Sequence, residues 1–295
     1  MTWLMITILI RTIVCAFPAA QAYKLVELTH SLSPSTLFWP GVPSFNRSLV
    51  VASVNQHGVW FEIGKFSVGE HGGTHIDVPR HFKQGAADLN DFPLDRTIAE
   101  GVMIDCSAEA AKNYNYAVTT NKLKEWEKKN GRIPDGAAVL VNFGYTAKFS
   151  NHQAFLNTKN VRDDKTFRFP FVTAQAALWL LNERKMKIIG VDVPSPDSPQ
   201  DKSYPVHVAL LLKNVMIMEM MNIPKSLPAR GFRVHCAPIR IVDGTGVQTR
   251  IYAMMGDNID AGSARLCMQS PVFFVASLVV ASAVVDILTG GRIRG

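Results

Sequence analysis

Three of the chain's eight histidines fall in one short stretch, His71-Gly72-Gly73-Thr74-His75-Ile76-Asp77-Val78-Pro79-Arg80-His81-Phe82, with an aspartate among them. Imidazole and carboxylate at this density are the donors of a divalent-cation site. Side chains of an extended segment alternate with period two, so from Thr74 onward His75, Asp77, Pro79 and His81 are expected on one face. Gly72 and Gly73 carry no β-carbon and can bend the backbone so that His71 returns to the same point. Neutral imidazoles with a carboxylate, and no thiolate nearby, suit zinc, manganese or ferrous iron. Three protein ligands per ion leave a position for water, the arrangement of a catalytic site more than of a structural one. His81 reads as a fourth ligand or a proton carrier. His30, His57, His152 and His235 read as surface or hydrogen-bonded core residues.

Further donors are sought where packing would not place them. Glu219 interrupts Val215-Met216-Ile217-Met218-Glu219-Met220-Met221, an apolar run that reads as a buried strand. A carboxylate there is costly unless paired or metal-bound. His207 opens the amphipathic stretch from Val206 to Lys213, at the start of an expected helix.

The pattern His-x-Gly-Thr-His-x-Asp-x-Pro-x-His-Phe over His71 to Phe82 resembles the signature of the metal-dependent cyclase-like hydrolases, which include bacterial-type kynurenine formamidases and isatin hydrolases. The likeness runs from about Leu25 to Arg250. Phe38-Trp39-Pro40-Gly41 resembles an aromatic-Pro-Gly loop of that family, and Phe92-Pro93-Leu94-Asp95 its Pro-Leu-Asp turn. Ile188 to Ser195 resembles the strand carrying Gly-x-Asp-x-x-Ser. The resemblance implies metal ligation by His71, His75 and Asp77, with Asp77 bridging two divalent ions, zinc first and manganese second. His207 and Glu219 would complete the pair, and His81 would do acid-base work. Some relatives carry a second histidine beside the downstream one, where this chain has Val206. The implied architecture is α/β, a mixed sheet curved into a barrel-like core with flanking helices, in a homodimer.

Two cations lower the pKa of a bound water and polarise a carbonyl, which is the chemistry of amide hydrolysis. The resemblance points to an arylformamidase that cleaves N-formyl-L-kynurenine to L-kynurenine and formate in tryptophan catabolism. A cyclic amide such as isatin is the alternative substrate, and a membrane-tethered binding protein without catalysis is the alternative class. His81, with an imidazole's ordinary pKa, is expected to titrate near physiological pH and shuttle the proton. Phe38, Trp39 and Trp60 are the expected walls for an aromatic substrate.

These residues need a scaffold. The chain has 295 residues, 47% of them hydrophobic, which is enough for one large α/β domain. Strands are expected at Leu25 to Leu32, Trp60 to Val68, Gly101 to Cys106, Ala138 to Phe143, Ile188 to Val193, Val215 to Met221 and Arg233 to Val242. Helices are expected at Thr120 to Lys129, Thr173 to Lys185 and Val206 to Asn214. The net charge of +7 is modest and scattered, and the run from Lys122 to Lys129 alternates in sign as on a solvated helix. Nucleic acid is therefore not an expected partner.

The ends carry different signals. Residues 1–22 read as a signal peptide, with an apolar stretch, the small-residue site Ala19-Ala20-Gln21-Ala22 and Tyr23 as mature start. The hydrolase domain is expected over 23–258 and a linker over 259–270. The apolar segment 271–288 reads as an anchor-addition signal or a single membrane span, with a buried helix as the remaining option. Export to the extracellular space or cell surface follows, and the sequon Asn46-Arg47-Ser48 is compatible with it.

Overall fold

The computed structural model describes residues 23–256. The expected signal peptide, linker and carboxy-terminal anchor lie outside the described residues. Strands follow the order β1 (Lys24–Glu27), β2 (Asn46–Val54), β3 (Trp60–Ser67), β4 (His75–Asp77), β5 (Ile98–Asp105), β6 (Ala117–Val118), β7 (Ala138–Asn142), β8 (Phe171–Val172), β9 (Ile188–Val191), β10 (Met216–Glu219), β11 (Phe232–Cys236), β12 (Gly246–Gln248) and β13 (Ile251–Met255). Helices are α1 (Ser107–Lys112), α2 (Thr120–Asn130), α3 (His152–Leu156), α4 (Ala174–Arg184) and α5 (Pro205–Leu211).

Nine strands form one mixed sheet in the order β1-β13-β11-β5-β7-β9-β10-β4-β12, curled into a half-barrel with helices on its flank. Its centre, β5-β7-β9-β10, is parallel; β4 then joins β10 antiparallel. Parallel strands buried on both faces read as unbroken apolar runs, as in Ala138-Val139-Leu140-Val141. Here Val139 and Val141 pack into the helix-side core with Ile189 and Leu180. Ala138 and Leu140 pack into the opposite core with Ile76, Met216 and Met218.

This alternation decides where the donors point. Ile76 and Met218 occupy the far core, so their neighbours His75, Asp77 and Glu219 must face the side on which α5 lies. Helix α4 starts where Thr173 accepts a hydrogen bond from the Ala176 amide, and α2 starts with Thr119 accepting from Lys122. The expected helix from Val206 ends early, at Leu211, and gains Pro205 at its first position.

Several expected boundaries shift. The strand expected from Arg233 to Val242 stops at Cys236, because Pro238 cannot donate to a ladder. The β2–β3 hairpin stands apart from the main sheet and is exposed along almost its whole length. Cys106 and Cys236 are both free and buried, and burial pushes the Cys106 thiol up to about 12. Among the described residues no helix is long and apolar enough to cross a membrane.

Candidate metal centre

Strand β4 lies between β10 and β12, with Glu219 directly opposite His75 and Gly246 opposite Asp77. His75 and Asp77 are 2% and 1% exposed. The extended face predicted as far as His81 ends sooner, since Pro79 opens a 3-10 turn over Pro79–His81. That turn lays the His81 ring on the His71 ring, centroids 3.8 Å apart and nearly parallel. Gly73 bends the chain through a left-handed backbone (φ +58°), which its lack of a β-carbon permits. Gly72 serves differently, because a β-carbon there would meet the Phe38 ring at 2.1 Å.

Each of three histidines has one ring nitrogen tied outward and one turned inward. His75 Nδ1 lies 2.9 Å from the Gly73 carbonyl; a carbonyl only accepts, so Nδ1 carries the proton and Nε2 faces the centre. That Nε2 is 3.4 Å from both Asp77 Oδ1 and Glu219 Oε2. His207 Nδ1 lies 2.6 Å from Asp197 Oδ2, leaving Nε2 3.2 Å from Asp77 Oδ2 and 3.1 Å from Glu219 Oε1. His71 is reversed: Nε2 meets Thr245 Oγ1 at 2.8 Å, and Nδ1 meets Asp77 Oδ1 at 2.8 Å.

Imidazole nitrogens and carboxylate oxygens thus crowd one small volume, and acceptors facing acceptors must share either a proton or a cation. Glu219 Oε1 makes the point, being buried without a hydrogen bond despite its closeness to His207. Burial and the adjacent Asp77 push the Glu219 carboxyl up to about 7. Burial would lower His207, but Asp197, Asp77 and Glu219 together raise it well above the imidazole range. Burial likewise opposes ionisation of Asp77, yet His71, His207 and His75 hold it well below the carboxylate range. Burial brings His75 down to about 4 against the pull of Asp77. The donor set fits divalent ions, with two groups meeting at Asp77: His75, Asp77 and Glu219, and His71 and Asp77 with the His81 ring beside them.

Backbone strain marks both segments that deliver distant ligands. Met220, next to Glu219, and Tyr204, which precedes the helix of His207, have φ of +49° and +48°, conformations costly for residues with a β-carbon. His81 departs from expectation: burial, opposed by Asp77 and reinforced by His71, His207 and His75, lowers it to about 4. It is a neutral base at pH 7, not a group titrating there.

A cleft of about 270 Å³ opens above the cluster, bordered by Trp39, Phe82, Pro194, Ser195, Tyr204 and Met220. Trp39 lines the cleft, its ring braced edge-on by Phe167. Phe38 and Trp60 do not line the cleft. Phe38 fills the space over Gly72, and Trp60 is 60% exposed on β3. Phe82 and Tyr204 were not anticipated as walls, although Phe82 closes the histidine motif. Asp192, in the strand resembling Gly-x-Asp-x-x-Ser, accepts the Phe143 and Tyr145 amides and so pins the end of β7 to β9.

The Cyclase family model matches residues 26–198, more than half of the chain, and the chain belongs to that family. It is 28% identical to an isatin hydrolase of Roseibium aggregatum over 79% of this chain and 92% of the relative. It is 24% identical to a kynurenine formamidase of Salinibacter ruber over 77% of this chain and 95% of the relative. An isatin hydrolase of Ralstonia solanacearum superposes with a TM-score of 0.72 at 30% identity, covering 79% of this chain and 92% of that one.

Proposed function

We propose that the protein is a metal-dependent hydrolase of an amide carried on an aromatic ring, with a neutral cyclic amide of the isatin class as its first substrate. The observation that carries the chemistry is the convergence of inward ring nitrogens and carboxylate oxygens on Asp77 beneath an aromatic-walled cleft. His71, His75, Asp77, His207 and Glu219 would hold two divalent ions, zinc first. Bound there, such ions supply the Lewis acidity that ionises water and polarises the amide carbonyl.

This chain's own groups do the rest. Trp39 and Phe82 flank the aromatic ring, and the cleft volume is close to the ~300 Å³ lower end of small-molecule sites. His81, neutral and beside the cluster, accepts the proton from water and returns it to the amide nitrogen as the C–N bond breaks. For a cyclic amide, ring opening leaves the carboxylate and the aryl amine in one molecule. A formyl-aniline yields formate and the free amine.

One feature ranks the two substrates. N-formyl-L-kynurenine brings an amino-acid carboxylate that needs a cation, yet the described residues lining the cleft include neither lysine nor arginine. Lys202, whose ammonium lies 5.6 Å from the Trp39 ring centre, is paired with Asp164 at 2.8 Å. The formamidase reading stays second, supported by the kynurenine formamidases among the relatives. Comparing kcat/KM for isatin and N-formyl-L-kynurenine on zinc-loaded protein tests the ranking; a preference for the formamide reverses it. Absence of turnover of either, in fully metallated protein, favours a binding role.

Homodimerisation belongs to the same proposal. An isolated two-stranded hairpin is marginal in water, and β2–β3 exposes Leu49, Val50, Val54, Trp60, Ile63 and Phe66. A second copy is the occupant expected there. The compartment proposed from the sequence is outside the cytosol, checked by whether secreted protein begins at Tyr23.

A further inference from the structure

The outer nitrogens of two histidines are held by groups that the metal-ligand pattern does not include: a carboxylate for His207, and for His71 a threonine hydroxyl that is itself bound to a carboxylate. Asp197 is 1% exposed and uses both oxygens: Oδ1 accepts the Val206 amide at 2.7 Å, and Oδ2 accepts the His207 amide at 3.0 Å and His207 Nδ1 at 2.6 Å. Across the cluster, Thr245 Oγ1 is hydrogen-bonded to Glu70 Oε2, and the Thr245 amide donates to the same oxygen at 3.1 Å. The hydroxyl has one proton. A carboxylate oxygen cannot supply another, so the threonine hydroxyl donates to Glu70 and accepts from His71 Nε2. Gly246 lets the His71 ring lie here, because a β-carbon at that position would meet its Cε1 at 2.5 Å.

We propose that Asp197 and the Thr245–Glu70 pair are positioning residues that impose opposite tautomers on the two histidines, so that His207 offers Nε2 and His71 offers Nδ1 to the metal ions. The geometry of the chain explains why both hands are needed. His207 arrives from the start of α5 with its far ring end at the centre, whereas His71 sits beside β12 with its near end at the centre. A histidine in the wrong tautomer would aim an N–H at the cation. Each outer carboxylate also raises the basicity of its imidazole, and partners of this kind typically carry 10–100-fold of metal affinity.

This inference rests on the metal-centre reading, and the experiment separates the two. Zinc affinity is measured by competition with a chromophoric chelator for the parent, Asp197→Asn and Thr245→Val, beside melting temperature of the metal-free proteins. Ring nitrogens of the zinc-loaded parent are assigned by ¹H–¹⁵N correlation. The expected result is zinc binding about 10–100-fold weaker in each variant, little change in metal-free melting, and a parent carrying Nδ1–H on His207 and Nε2–H on His71. Parental affinity in both variants, or the opposite tautomer on either ring, overturns the inference and leaves the metal centre standing. A parent that binds no zinc overturns both. If Asp197→Asn fails to fold through loss of the α5 amide contacts, Thr245→Val and the tautomer assignment decide.

Discussion

Strand β4 and the β2–β3 hairpin are both antiparallel, yet all three β4 residues are buried while the hairpin is exposed along almost its whole length. In β4 the inward groups are polar, flanked by strands on both edges and opposed by α5, so burial concentrates charge. In the hairpin apolar side chains such as Leu49, Ile63 and Phe66 are exposed among polar ones, and among the described residues neither strand pairs with the main sheet. Buried polarity therefore marks what the fold builds for a ligand. Exposed apolarity marks the face that the proposed second copy would cover.

The sharpest way to break this contrast is in β4. Asp77→Ala removes the group shared by both candidate ligand sets, and should abolish metal retention and turnover together, read by elemental analysis and product formation. His81→Ala should keep the metal while lowering kcat by about 10²–10⁴-fold. Retained metal with parental turnover would remove His81 from proton transfer. Acidification should weaken zinc binding, because ligands must shed protons to bind. With Glu219 raised to about 7 by burial and Asp77, affinity should fall progressively below that pH, in step with protons released on binding at neutrality.

Packing beside the site gives a smaller effect. Gly72→Ala forces the Phe38 ring aside and should cost about 1–3 kcal/mol, measured by denaturant unfolding. The hairpin should respond least in stability and most in assembly. Phe66→Ser with Ile63→Ser should change monomer stability by only about 0.5 kcal/mol each, while shifting the sedimentation mass from dimer to monomer. A parent already monomeric would remove the second copy from the account.

The sequence reveals the site unevenly, for physical reasons. His71, His75, Asp77 and His81 are local, so spacing alone places them near one another. Glu219 stands out because a carboxylate interrupts an apolar strand, and His207 because it begins an amphipathic helix. Asp197, Thr245 and Glu70 sit in loops or strand ends where polar residues are ordinary, and only tertiary contact gives them a role. The central strands β5, β7, β9 and β10 are visible as apolar runs. Strands β12 and β13 are short and broken by Thr249 and Arg250, and β2 presents mixed polar and apolar residues to solvent, so periodicity does not expose them. Trp60 shows the limit of residue type as a guide: an aromatic near a binding motif in sequence can stand on a separate hairpin.

The most direct test is hydrolysis of isatin by one preparation before chelation, after exhaustive chelation and after zinc is restored. The account predicts that turnover disappears with the metal and returns with it. Undiminished turnover by metal-free protein would contradict it.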